Sequence, residues 1–242
     1  TLTAPFDREG FNIAGIGDAN GDGIGDVLVG SSAPTFRAYV HFGSPTGPST
    51  TPDVTILGGG TFGVVVTGLG DISGDGVPDF AVSARWANLT GGVDLSGSVY
   101  VFFGRTSSDP PWPANIDVRG GACMADICLT SSEVPASFGW SVAGAGDFDG
   151  DGIGDFAVGA YSANSEAGRV FLILGRSGWT SGSSFSLPGA MAPDGFMIEA
   201  PASTAAMGRS VTSCGDISGD GLADLIIGAF GSATIGARIG RV

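Results

Sequence analysis

Only one histidine, His41, occurs in 242 residues, and that scarcity removes several chemistries. A Ser-His-Asp triad, or a water activated by a metal on imidazole ligands, is hard to assemble without a second imidazole. Basic residues are also few, 10 against 24 acidic, for a formal net charge of −14. Nucleic acid and anionic membrane surfaces need a basic face, so neither is expected as a partner. Long apolar runs are missing as well. VFLIL at 170–174 is far short of the roughly 18 residues that a spanning helix requires, and no membrane insertion is expected. The opening TLTAPFDREG lacks the basic-then-apolar build of a signal peptide, so the chain reads as soluble and mature.

What the sequence has in quantity is glycine, 44 residues, with 13 prolines and frequent Val, Ile, Phe and Thr. This composition favours many short strands joined by tight turns, an all-β fold. One acidic loop recurs four times: DANGDGIGD at 18–26, DISGDGVPD at 71–79, DFDGDGIGD at 147–155 and DISGDGLAD at 216–224. The four loops hold more than half of all acidic residues. Like charges packed this closely call for a cation among them.

Oxygen-bearing side chains fall at positions 1, 3, 5 and 9 of every loop. They are Asp18, Asn20, Asp22 and Asp26; Asp71, Ser73, Asp75 and Asp79; Asp147, Asp149, Asp151 and Asp155; Asp216, Ser218, Asp220 and Asp224. Position 6 is always glycine, and the position-7 carbonyls of Ile24, Val77, Ile153 and Leu222 are further expected ligands. Hard oxygen donors in this number suit Ca²⁺, up to four ions in all, whereas softer metals want the His or Cys that the loops lack. An EF-hand would place a bidentate Glu at position 12. Here that position is Val29, Val82, Val158 or Ile227, inside short apolar segments that read as strands.

The similarity continues outside the loops. FGVVVTGLGD, FGWSVAGAGD, MGRSVTSCGD and EGFNIAGIGD precede them, and VGSSAP, VSARWA, VGAYSA and IGAFGS follow. RAYVHFG, SVYVFFG and GRVFLILG then continue three of the repeats, and His41 aligns there with Phe102 and Ile173 as a packed or edge-strand residue. This pattern resembles the FG-GAP repeat of integrin α-subunit propellers, through Phe62-Gly63 and Phe138-Gly139 and the later Gly159-Ala160-Tyr161 and Gly228-Ala229-Phe230. Glu9-Gly10 and Met207-Gly208 depart from the FG pair. The resemblance implies a β-propeller with one four-stranded blade per repeat and Ca²⁺ in the hairpin loop between the first two strands. Repeats are expected at about 9–57, 62–118, 138–200 and 207–242, with 1–5 as a closing outer strand. Four blades, or part of a larger propeller, are both open. An incomplete terminal blade gives a route to self-association.

Two long connections, 105–137 and 176–206, read as insertions around an outer strand, with IDV, ICLT and FMIEA as the candidate strands. Cys123 and Cys128 can pair in an oxidising compartment, while Cys214 reads as a buried free thiol. Asn88-Leu89-Thr90 is a glycosylation sequon. If strands alternate up and down, the face opposite the acidic loops carries Phe36, Arg85, Trp86, Tyr161 and Phe230. Such residues dominate binding hot spots and stack on sugars. Clustered carboxylates are committed to cations, so no enzyme is expected. The sequence reads as an extracellular or cell-surface module for a protein or glycan partner. Its rivals are a domain of a secreted hydrolase and a structural subunit of a surface assembly.

Overall fold

In the computed structural model, which describes residues 9–31, 36–87, 94–188, 195–200, 205–231 and 237–239, every acidic loop turns the chain between two antiparallel strands. The first sheet takes β1 (Glu9–Gly17), β2 (Asp26–Ser31), β3 (Arg37–His41) and β4 (Val54–Leu57). β5 (Phe62–Gly70), β6 (Asp79–Ala84) and β7 (Ser98–Phe102) begin the second. After β8 (Asn115–Asp117), β9 (Ile127–Ser131) completes it. β10 (Phe138–Gly146), β11 (Asp155–Ala160) and β12 (Arg169–Ile173) form the third sheet. Beyond β13 (Ser183–Leu187) it gains β14 (Gly195–Glu199). The described part of the fourth sheet is β15 (Met207–Ser213), β16 (Leu225–Ala229) and β17 (Ala237–Ile239).

The first strands lie side by side in chain order, β1 against β5, β5 against β10 and β10 against β15. The sheets are therefore successive blades of an all-β propeller. β6 and β11 are buried along their whole length, as expected for second strands covered on both faces by neighbouring blades. Apolar cores fill the spaces between blades one and two, two and three, and three and four.

Packing between blades explains the repeated dipeptides. Phe62 and Phe138 are fully buried and meet Tyr100 and Phe171 edge-on, each pair at 5.5 Å and 66°. Met207 is buried at the same place in the fourth repeat. The following glycines, Gly63, Gly139 and Gly208, have φ of +82°, +80° and +85°, which side chains avoid. They also touch the preceding blade. A Cβ on Gly30 would stand 2.0 Å from the Gly63 carbonyl oxygen, and one on Gly159 would stand 2.0 Å from that of Gly208. Gly63 and Gly208 thus pack on Gly30 and Gly159, the glycines that follow the previous acidic loops, and Gly139 packs on Ser83 at the same place. Gly63→Ala would bring a methyl to 2.3 Å from the Arg37 carbonyl oxygen. We expect a loss of about 2–3 kcal/mol from overpacking and backbone strain, read as a lower midpoint in denaturant unfolding.

One strand assignment from the sequence needs correcting. ICLT and FMIEA do supply outer strands, β9 beside β7 and β14 beside β12. IDV does not belong to its own repeat: β8 runs parallel to β4 of the first blade, with Ile116 opposite Ile56. The second blade draws its outer strand from 127–131, beyond the boundary expected at 118. β13 likewise crosses back, to lie parallel to β9 of the second blade. The cause is a latch used twice. Arg105 N–H and Trp112 Nε1 both donate to the Ala19 carbonyl, at 2.9 and 3.3 Å, and Arg105 lies over the Trp112 ring. Arg176 N–H and Trp179 Nε1 do the same to the Ile72 carbonyl, at 3.1 and 3.2 Å, with Arg176 over Trp179. Each insertion is fastened to the acidic loop of the preceding blade before it adds a fifth strand there. Cys123, in the segment before β9, forms a disulfide with Cys128 within β9.

Candidate functional site

The loops owe their shape to their own carboxylates. In each, the first Asp gathers backbone N–H groups: Asp18 accepts from Asp22 and Gly23, Asp71 from Gly74, Asp75 and Gly76. Asp147 accepts from Gly150 and Gly152, and Asp216 from Gly219, Asp220 and Gly221. These backbone bonds, with the Gly221 N–H first, hold the Asp216 carboxyl below its ordinary range. The fifth-position Asp accepts from the seventh-position N–H, as Asp22 from Ile24, Asp75 from Val77, Asp151 from Ile153 and Asp220 from Leu222. Gly23, Gly76, Gly152 and Gly221 share φ of +90°, +88°, +89° and +91°. A Cβ at any of them would meet nothing within 4 Å. Backbone conformation, and not crowding, demands glycine there.

Side chains at positions 1, 3 and 5 turn toward one another. Carboxylate oxygens of Asp147, Asp149 and Asp151 lie within 4.8 Å of one another. In the other loops, Ser73 and Ser218 donate to Asp71 and Asp216, and Asn20 donates to Asp22. This convergence of carboxylate, hydroxyl and amide groups, without imidazole or thiol, fits a hard divalent cation.

The ninth position is different in kind. Asp26, Asp79, Asp155 and Asp224 are almost wholly buried, unlike the half-buried or exposed residues at positions 1, 3 and 5. One oxygen of each closes the loop, accepting from Ala19, from Ile72 and Ser73, from Phe148, and from Ile217 and Ser218 respectively. In three blades the other oxygen accepts from the glycine that ends the third-strand segment: Gly43, Gly104 and Gly175. This accounts for the final glycine of RAYVHFG, SVYVFFG and GRVFLILG. An oxygen that accepts one N–H keeps a further lone pair for a cation. Burial dominates the energetics, raising the carboxyls of Asp26 and Asp155 to about 6 and that of Asp79 to about 7. A nearby cation would favour their ionised forms.

At the other end of the first strands, the structure brings together the residues expected on the opposite face. Arg85 lies over the Trp86 ring at 4.8 Å and over Trp140 at 4.1 Å. Trp140 meets Tyr161 edge-on at 4.5 Å. Arg209 lies over Trp140, Tyr161 and Phe230, and Phe230 is 80% exposed. Trp86 is half-buried and not a free-standing platform, because its backbone N–H donates to Thr61 Oγ1 and its ring is shared with Arg85. Phe36 leaves the set, since it packs against the core between the first two blades. The structure adds Trp140 and Arg209 to the residues expected there. Both directly follow the FG-type glycine, Gly139 or Gly208, and that shared position was the available signal.

Elsewhere, His41 is buried on β3 with Nδ1 2.9 Å from the Ser49 carbonyl. Cys214 is a half-buried free thiol whose Sγ donates to the Asp224 carbonyl. The Asn88 sequon and the closing strand expected at 1–5 lie outside the described residues. No helix among the described residues is long and apolar enough to cross a membrane.

Comparison with known proteins agrees with this architecture. The family model for the FG-GAP repeat matches residues 138–173. Integrin alpha-PS2 of Drosophila melanogaster is 31% identical over 183 residues, 69% of this chain and 12% of that protein. Integrin alpha-IIb of Mus musculus is 33% identical over 176 residues, 65% of this chain and 15% of that protein. A phosphatidylinositol-glycan-specific phospholipase D of Rattus norvegicus is 31% identical over 179 residues, 65% of this chain and 19% of that protein. The chain is an FG-GAP repeat protein with an integrin-like β-propeller. It spans only a small part of the length of the relatives it matches.

Proposed function

We propose that this chain is an extracellular, calcium-binding propeller that serves as an adhesion or recognition module for a protein or glycan partner. The observation that carries the reading is one oxygen-lined loop, closed by the same bonds in four blades, with an arginine–aromatic cluster at the other end of the blades. Asp18, Asn20, Asp22 and Asp26 would hold the first ion, and Asp71, Ser73, Asp75 and Asp79 the second. Asp147, Asp149, Asp151 and Asp155 would hold the third, and Asp216, Ser218, Asp220 and Asp224 the fourth. The carbonyls of Ile24, Val77, Ile153 and Leu222 would complete the four sets. When bound, Ca²⁺ supplies charge neutralisation within each loop. The protein's part is to hold the first Asp and the loop backbone in register. Extracellular placement is supported by the Cys123–Cys128 disulfide and by the similarity to integrin alpha chains.

We assign no catalytic role to the chain, because its clustered carboxylates are taken up in the loops and His41 is buried. A second reading has one observation behind it: the match to the rat phospholipase D supports a non-catalytic domain beside a catalytic one in a longer protein. Recognition is assigned to Arg85, Trp86, Tyr161 and Phe230. Screening on a glycan array and against surface-protein extracts should yield a binder whose affinity falls about 30-fold with Trp86→Ala or Tyr161→Ala, a typical hot-spot loss of about 2 kcal/mol. Binding that survives both changes in a folded protein would remove this face from the account.

A further inference from the structure

The cluster opposite the loops has a charge at odds with the rest of the molecule. The chain holds 24 acidic residues against 10 Lys and Arg, so an arginine at its surface has carboxylates in excess to pair with. Arg119 and Arg169 do pair, with Asp117 and with Glu133 and Glu199. Arg85 and Arg209 do not: among the described residues neither has a carboxylate within ion-pair distance. Both instead lie over the one indole ring of Trp140, at 4.1 and 5.6 Å from its centroid. Two like charges sharing a ring repel each other, and burial removes some of the water that would screen them. Arg85 Nε is buried without a hydrogen-bond partner, a costly state for a charged donor. The Arg85 guanidinium lies against the rings of both Trp86 and Trp140.

We propose that this cluster is a receptor for a carboxylate, and that its ligand is an acidic segment of a protein partner. An Asp or Glu side chain would be held by Arg85 and Arg209, with a neighbouring apolar side chain against Trp140, Tyr161 and Phe230. The inference rests on the reading of this face as the recognition surface and adds its chemistry. Guanidinium and carboxylate match in geometry as well as charge, and a carboxylate would offset the repulsion between the two arginines over Trp140. A protein ligand is favoured over a sugar because the cluster consists of donors and rings, with the Tyr161 hydroxyl its one side-chain acceptor. A polyhydroxylated ligand needs acceptors for its own hydroxyl groups. The exposed phenyl of Phe230 suits an apolar side chain.

The test is selection from a displayed library of short random peptides against the full chain in calcium buffer, beside an array of acidic saccharides. Recovered peptides should carry Asp or Glu next to an apolar residue. Changing that residue to Asn or Gln in the synthetic peptide should weaken binding about tenfold or more. Arg209→Gln should weaken it to a similar extent. Arg209 is exposed, so this variant keeps its melting temperature and remains informative should Arg85→Gln disturb the fold. Neutral peptides that bind through Trp86 and Tyr161 would overturn the carboxylate assignment while leaving the recognition face standing. Saccharide binding that requires Arg209, with no peptide recovered, would overturn the choice of a protein ligand. If no binder is sensitive to Trp86→Ala, Tyr161→Ala or Phe230→Ala, the recognition face falls and this inference with it.

Discussion

Excess chelator should lower the melting temperature by roughly 5–10 °C for each loop that loses its ion. The figure follows from about 2.7 kcal/mol per site at a hundredfold excess of Ca²⁺ over its dissociation constant, and about 2–4 °C per kcal/mol for a domain of this size. Two features of the structure make the loss this large. First, the formal charge is −14, and four Ca²⁺ ions would reduce it to −6, one of them falling where the carboxylates of Asp147, Asp149 and Asp151 converge. Second, the loops are joined to one another and to the insertions. Gly154 N–H donates to the Asp71 carbonyl and Ala223 N–H to that of Asp147, while Trp112 and Trp179 bond to Ala19 and Ile72. A loop that relaxes on losing its ion therefore loosens the next blade as well. A melting curve indifferent to chelator in differential scanning calorimetry would contradict this.

Asp79→Ala and Asp75→Ala, four residues apart in one loop, should fail in different ways. Asp79 is fully buried, and its carboxylate accepts N–H bonds from Ile72, Ser73 and Gly104 at 2.8, 3.0 and 2.8 Å. Removing it strands donors from two segments of the blade. At about 1–3 kcal/mol for each buried unsatisfied group, a loss on the order of 4 kcal/mol is expected, and it persists in saturating Ca²⁺ as well as in chelator. Asp75 is exposed and bonds within the loop to Val77. Its loss should remove the calcium-dependent part of the stability of that blade and little else. Unfolding each variant in Ca²⁺ and in chelator separates the two roles. Equal calcium dependence of both losses would show that the ninth position acts only as a ligand.

That division of labour is where the sequence stops being legible. Oxygen atoms at positions 1, 3, 5 and 9 are visible as a spacing, but spacing does not say which carboxylate faces a cation and which is buried under the third strand. The glycines at position 6 and in the FG-type pairs were readable because backbone conformation is a local property. Phe62 and Phe138 were readable because a repeated apolar residue before a strand has few places to go. The destination of IDV was not. Its pairing with β4 depends on Trp112 reaching Ala19, a contact 93 residues distant in the chain, and no local pattern encodes that. Trp140 and Arg209 are not legible for a related reason. Both sit in first strands where an inward apolar residue is the usual occupant, and only alignment with each other marks them as a pair. Arg85, Trp86, Tyr161 and Phe230 group on topology alone, because up-and-down strands place them at one end of the blades.

The most direct test of the account is the number of calcium ions bound per chain. Isothermal titration of metal-stripped protein, with elemental analysis of the calcium-saturated form, should give four ions. Asp22→Ala, Asp75→Ala, Asp151→Ala and Asp220→Ala should each remove one and leave the other three. Fewer than three ions in the unaltered protein, or a full complement in all four variants, would contradict the claim that these loops are the calcium sites.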